Sequence, residues 1–287
     1  DHCFEGWRGA ARVRDEKLEV MRGANAAYQL QSPRFRLPNW DGAKTVHEPK
    51  QTYEPGRAIE LPDAALTDLG PTLGPVVRQA IVAAKEAFAT FHYLGPLRPP
   101  PAREVTWSQQ DPTVLGSTGS ETIQALISAE TGRHKGALRA SVSEWLKRLD
   151  LAESIEITRV GKTLLYQIEV VRNGKRSNLA DVGYGVSQVL PVITLLHFVP
   201  EGSVILCEDP EAHLHPMAQS GLADVFVEVA KKRKLQVLIE THSEHLFRRL
   251  QVLMASAKLS EHDCALYYVE RDEPSAKLTT LRADAFG

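Results

Sequence analysis

The sequence is poor in cysteine, and the cysteines it has are not paired. Cys3, Cys207 and Cys264 are the three among 287 residues, and no C-x-x-C spacing occurs. A disulfide framework is not indicated, and a reduced, cytoplasmic compartment is expected. A dominant charge is lacking too. The formal net charge is −2, so any contact with nucleic acid must be a local patch. Long apolar runs are missing. The longest, Val186 to Val199, contains Pro191 and His197 and is too short to span a bilayer, so no membrane partner is expected. There is no initiator Met and no signal-peptide pattern. The chain starts with "DHCFEGWRGA" and stops at "RADAFG" directly after a strand-like run, so both ends read as cut and a fragment is expected.

What is present is ordinary for a soluble globular protein, with 43% apolar and 24% charged residues. Three stretches differ in character. Residues 1–75 read poorly and suit the remainder of a truncated lobe. Arg8, Arg12, Arg14, Lys17 and Arg22 form a basic start interleaved with acids, which suggests a solvated helix face. Prolines and glycines between Gln31 and Gly74 suggest loops. Residues 76–177 read as a helical insert with a β-hairpin. Helices are expected over Val76–Tyr93, Glu121–Ala129 and Leu138–Leu149. "YLGPLRPPPAREV" between the first two is proline-broken and should be extended and surface-crossing. Strands are expected over Ile155–Val160 and Thr163–Val171, and Asn173-Gly174 marks a hairpin turn.

Residues 178–287 change pattern. A Gly-rich turn is followed by an apolar helix (Ser187–Phe198) and a buried strand (Ser203–Cys207). Next come a helix (Ala218–Lys231), a second buried strand (Leu235–Glu240) and a helix (Glu244–Met254). Cys264–Glu270 and Ala276–Arg282 close the region as strands. Alternating helices and short apolar strands argue for an α/β fold with a mostly parallel sheet and flanking helices. In such sheets ligands sit beyond the carboxyl ends of the strands. Two strand ends here carry reactive groups: Glu208-Asp209-Pro210-Glu211 and Glu240-Thr241-His242-Ser243. Adjacent acids after a buried strand are costly unless a cation or donor meets them. His213 and His215 add the pattern of a metal ligand pair on an extended segment. Pro216 instead suggests a loop entering a helix at its first turn.

These segments, in this order, resemble a family. "DVGYGVSQVLPVI" looks like the signature loop of ABC-type ATPases. "VILCEDPEAHLHP" looks like their Walker B and D-loop, and "IETHSEHLF" resembles their switch-histidine loop. The variant is that of bacterial AAA-like, overcoming-lysogenization-defect-type and SMC-like ATPase heads. The strong likeness runs from Leu179 to about Phe247, and "YLGPLRPPP" also resembles a segment of one subgroup. The resemblance implies the C-terminal lobe of an ATPase head, with a helical subdomain bearing the signature, that uses ATP and Mg²⁺. Glu208 would hold Mg²⁺ through water. Asp209 would polarise the attacking water, and His242 would contact the γ-phosphate. Gly183, Gly185 and Ser187 would meet phosphate at the helix entry. Glu211, His213 and His215 would face a second subunit, making a homodimer through an ATP sandwich. A nuclease or other effector partner, nucleic acid, and roles in DNA maintenance or anti-phage defence follow by analogy alone. The usual Asp-Glu order is reversed here to Glu208-Asp209. The base is then one methylene shorter, which could slow hydrolysis.

One part of the pattern is missing. A P-loop reads G-x-x-x-x-G-K-[ST]. Gly161-Lys162-Thr163 has Glu156 where the first Gly belongs, and strand-like flanks on both sides. It reads as a turn, and the P-loop is expected upstream or on another chain. Arg98 reads equally as a functional arginine or a structural one. "KKRK", Lys231 to Lys234, suits a helix C-terminus or a nucleic-acid backbone. Two rival functions stay open at this point. One is a metal-dependent hydrolase or nuclease built from Glu208, Asp209, Glu211, His213, His215 and His242. The other is a catalytically inactive binding module derived from an ATPase.

Overall fold

The computed structural model describes residues 8–13, 16–22, 28–31, 66–67, 70–132, 136–272 and 275–282. The chain forms two compact units, Asp1–Ala89 and Thr90–Gly287.

In the first unit, β1 (Arg8–Val13), β2 (Glu16–Arg22) and β3 (Tyr28–Gln31) form an antiparallel sheet in that order. The basic start is therefore strand, not helix. The alternation of Arg12 with Val13 and of Glu19 with Val20 fits a period of two as well as a helix face. Most of the proline-rich stretch expected as loops lies outside the described residues. α1 (Gly70–Phe88) follows. The expected helix ran on to Tyr93, but the chain turns at residues 89–90 and enters a strand. The two aromatic residues of "FHYL", Phe91 and Tyr93, favour that strand once a parallel neighbour is available.

The second unit is an α/β core. Its parallel sheet has the order β10-β9-β4, from β4 (Phe91–Leu94), β9 (Val204–Glu208) and β10 (Gln236–Glu240). One face is dry. His92, Leu94, Ile205 and Cys207 are buried, and the last three share one core with Val189, Leu190, Ile193 and Leu196 of α4 (Tyr184–Phe198). The other face exposes Phe91, Tyr93 and Leu238, at 45%, 45% and 60%. The three strands are short; β9 and β10 end level, with Glu240 beside Glu208, and β4 stops beside Cys207.

Around this sheet lie α2 (Thr122–Thr131), α3 (Ala137–Arg148), α5 (Pro216–Arg233) and α6 (Glu244–Ala255). The Arg148 guanidinium stacks on Trp145 at 3.8 Å and pairs with Glu228, so it ties α3 to α5. Arg249 and Asp224 tie α6 to α5. A separate antiparallel sheet joins β5 (Val105–Thr106), β7 (Leu165–Arg172) and β6 (Ser154–Arg159), with β8 (Lys175–Asn178) on β7. The hairpin turn at Asn173-Gly174 has both residues at positive φ, 51° and 69°, as the Asn-Gly signal requires. Gly161-Lys162-Thr163 is the turn joining β6 to β7, so it is no phosphate loop. β11 (Leu266–Asp272) and β12 (Ser275–Leu281) form a two-stranded hairpin outside the parallel sheet.

Among the described residues no helix is long and apolar enough to cross a membrane.

Candidate functional site

The ends of β9 and β10 build the site. Ile205 and Cys207 anchor β9 in the core at 1% and 2% exposure. Burial pushes the Cys207 thiol up to about 12, so it stays a neutral packing group. Beyond the anchor, Asp209 adopts φ +43°, and its N–H donates to the Glu240 carbonyl at 3.1 Å. Asp tolerates this left-handed turn better than most residues. The two strand tips are thereby latched together, and the Asp209 carboxylate projects from the latch.

Asp209, Glu240 and His242 each offer one ligand atom within 4.8 Å of the others. The His242 Nε2 lies 3.3 Å from Glu240 Oε1. Two carboxylates and an imidazole at this spacing can receive a divalent cation or hold and orient a water molecule. Asp209 and His242 were both expected here. Glu240 was visible at its strand end but had no role assigned. Glu208, expected as the metal acid, is outside this group. The Tyr93 phenol on β4, the neighbour away from β10, lies close enough to its carboxylate to feel it. Desolvation, and then that carboxylate, raises the Tyr93 pKa.

The loop carrying His242 is held from below. Thr241 Oγ1 donates to Glu211 Oε1 at 2.6 Å, and the His242 N–H donates to the same oxygen at 2.9 Å. Ser243 then caps α6, accepting from the Leu246 N–H at 3.1 Å and donating to Gln219 at 2.7 Å. The Ser243-Glu244 helix start is as the sequence suggested. The imidazole of His242 itself is 85% exposed, free to meet a ligand. His245 is exposed on α6, away from the cluster.

The segment after β9 is a tight loop with an inside and an outside. Ala212 donates to the Asp209 carbonyl and Leu214 to the Glu211 carbonyl. Glu211 and Leu214 point inward, at 7% and 6% exposure. Glu211 was expected to face a second subunit with the two histidines; its carboxylate instead serves the His242 loop of its own chain. His213, at φ +61°, is exposed and packs against Tyr184 with the rings tilted by 38° and their centroids 5.7 Å apart. His215 caps α5, its Nδ1 accepting from the Met217 N–H at 3.4 Å, with Pro216 at the first helical position. The His213-x-His215 pair therefore forms no metal pocket with the acids. The six-residue metal centre does not assemble among the described residues.

The Gly-rich entry to α4 departs from expectation. Gly183 is the exposed residue before the helix, with open space around it. A Cβ on Gly185 would come 3.2 Å from the His213 carbonyl oxygen. Gly185 thus permits the loop after β9 to pack on the first turn of α4. Ser187 is buried, and its hydroxyl donates to the Tyr184 carbonyl at 2.9 Å. It is turned into the helix and not toward a phosphate.

Arg98 is the residue whose importance the sequence understated. It follows β4, is 7% exposed, and donates through Nη2 to the carbonyls of Glu208 at 2.7 Å and Asp209 at 3.2 Å. Gln188 on α4 returns a bond to the Arg98 carbonyl at 3.2 Å. Burial lowers the Arg98 pKa, and the Asp209 and Glu211 carboxylates oppose that shift. The proline-rich segment is therefore not purely a surface crossing. Of "KKRK", Arg233 caps the Leu196 and Val199 carbonyls at the end of α4, and Lys231 bonds the Lys258 carbonyl.

Residues 121–247 match the family model described as the AAA ATPase domain. This stretch holds every residue of the cluster. Solved structures similar to part of the chain include SMC ATPases. One, from a study of ATP-driven dimerisation and DNA-stimulated activation, gives TM-score 0.39 at 16% identity. The alignment covers 50% of this chain and 83% of that one. An Smc head bound to the C-terminal winged-helix domain of ScpA gives 0.40 at 16%, covering 52% and 44%. The Smc head of Pyrococcus furiosus with an extended coiled coil gives 0.39 at 14%, covering 57% and 37%. The chain thus spans less than half the length of the last two. No curated protein matches the sequence.

Proposed function

We propose that this chain is part of an ATPase head that hydrolyses ATP with Mg²⁺ at the strand ends of β9 and β10. The observation that carries the reading is the convergence of Asp209, Glu240 and His242 within the AAA ATPase stretch. The donor set fits a Mg²⁺–phosphate complex, since Mg²⁺ is bound by one or two carboxylates together with phosphate oxygens and water. When bound, Mg²⁺ neutralises phosphate charge and orients the phosphate oxygens.

The chain's own groups do the rest. Asp209 orients the attacking water and accepts its hydrogen bond. His242 donates toward the terminal phosphate, and Glu240 holds the imidazole on the side of Asp209. Asp209 and Glu240 are the carboxylates that would hold the cation, and Glu208 would reach it only through water. Gly161-Lys162-Thr163 is a hairpin turn, so this reading requires a lysine-bearing phosphate grip supplied from elsewhere. The exposed Tyr184–His213 side of the loop after β9 suits contact with a second head, giving a homodimer around ATP, with Gly183 at its phosphate-facing helix entry. A nuclease or DNA-linked partner and a cytoplasmic setting belong to the same reading by resemblance.

Phosphate release from ATP by the complete head, with its lysine-bearing phosphate grip present, tests it when measured with and without Mg²⁺. Turnover should need Mg²⁺, and His242→Ala should lower kcat at least tenfold, while His245→Ala should leave it within twofold. Absence of Mg²⁺-dependent turnover in the wild type would overturn the reading.

A further inference from the structure

Glu211 is the one acid near the strand ends that the proposed chemistry leaves unused. Its side chain is 7% exposed. One oxygen, Oε1, takes both the Thr241 hydroxyl and the His242 N–H, at 2.6 and 2.9 Å. The other, Oε2, is buried without a hydrogen-bond partner, and so is the Nε of nearby Arg98. A buried carboxylate with half of its acceptors idle is costly. A neutral residue would fill the space more cheaply. The cost makes sense if Oε1 does something a neutral group does less well.

The geometry shows what that is. Glu211 sits in the tight loop 209–215, whose first residue is Asp209. Its two bonds end on the backbone and neighbour of His242. One side chain therefore connects the loop that starts at the water-orienting acid to the loop that carries the imidazole. An acceptor-only group suits this, because two donors converge on one atom. Aspartate is a methylene too short to reach both from the same backbone. Glutamine keeps the Oε1 acceptor but puts an N–H₂ donor where the unpartnered Oε2 now lies, in the same charged surroundings as Arg98.

We infer that Glu211 is a positioning residue that fixes His242 relative to Asp209. The 209–215 loop and the 241–243 loop then move as one body. The inference rests on the ATPase reading for its consequence, but the coupling itself is a property of the chain without nucleotide.

Hydrogen exchange on the full chain, with Glu211→Ala and Glu211→Gln, tests it alongside ATP turnover. In Glu211→Ala the amides of 241–243 and of 211–214 should exchange at least tenfold faster. The β9 amides of Ile205–Cys207 should be unchanged within twofold. Glu211→Gln should fall between wild type and Ala. For ATP, kcat should drop tenfold or more with KM within twofold, because a group that sets His242 acts on turnover and not on nucleotide binding. Unchanged exchange at His242 in Glu211→Ala would overturn the inference. Equal acceleration through β9 would also overturn it, by making Glu211 a general stabiliser. Should the wild type hydrolyse no ATP, the exchange result still decides the role of Glu211, and only the ATPase reading fails.

Discussion

Arg98 Nη2 donates to the backbone carbonyl of Glu208 at 2.7 Å, from a side chain that is 7% exposed. A charged donor is spent on a strand tip that carries the site, and the same nitrogen reaches the Asp209 carbonyl. Arginine can do this because its planar fork presents several donors in fixed directions.

Removing that fork should be expensive. Arg98→Ala leaves the Glu208 and Asp209 carbonyls without their donor and opens a hole beside Gln188. We expect a stability loss of about 3 kcal/mol, at the upper end for hydrogen bonds to charged groups, read from urea unfolding. Arg98→Lys keeps the charge but not the fork and should lose about half as much. A loss below about 0.5 kcal/mol for Arg98→Ala would mean that the buried bonds contribute nothing net.

Gly185 gives a second prediction. Its missing Cβ is what lets the His213 carbonyl approach α4. Gly185→Val puts branched methyls into that gap. We expect a cost of about 2 kcal/mol, as for other overpacked contacts, with faster amide exchange at 211–214. Stability and exchange both at the wild-type level would show that the loop can move aside freely.

His197 predicts a pH dependence. Burial, and then the charges of Arg233 and Lys232, hold its pKa down at about 4, and its Nε2 is buried without a partner. The unfolded chain takes up this proton near pH 6.5 and the folded one only near pH 4. The contribution of a neutral His197 is thus complete above pH 6.5 and is lost as the pH falls toward 4. Discounted for the partial exposure of the side chain, the loss by pH 5 is about 1 kcal/mol. His197→Gln should show a smaller drop in urea midpoint between pH 7 and pH 5 than the wild type. An equal drop would place the proton uptake elsewhere.

The sequence made the core legible because its signals were local. Apolar strands ending in Glu208-Asp209 and Glu240-Thr241-His242, with Pro216 and Ser243 starting helices, encode strand, turn and cap within a few residues. The errors came where tertiary partners decide. "FHYL" reads as the end of an amphipathic helix until β9 offers it a parallel neighbour. Ser187 and Gly185 fit a phosphate loop by spacing, yet one bonds inside its helix and the other makes room for a carbonyl. Glu211 looked like an outward residue beside two histidines. Only the fold shows that Thr241, 30 positions away, turns it inward. Glu240 carried a usable signal, an acid two residues before His242 at a strand end, but its pairing with His242 appears only in three dimensions.

The most direct test of the central claim is the ATP turnover of Asp209→Asn in the complete head, with its phosphate grip and Mg²⁺ present. Asparagine keeps the size and the strand-tip turn but cannot act as a carboxylate base. The account predicts that kcat falls about 100-fold or more, the scale of a lost general base, with ATP affinity held within a few-fold. Turnover at the wild-type rate in Asp209→Asn would contradict the account.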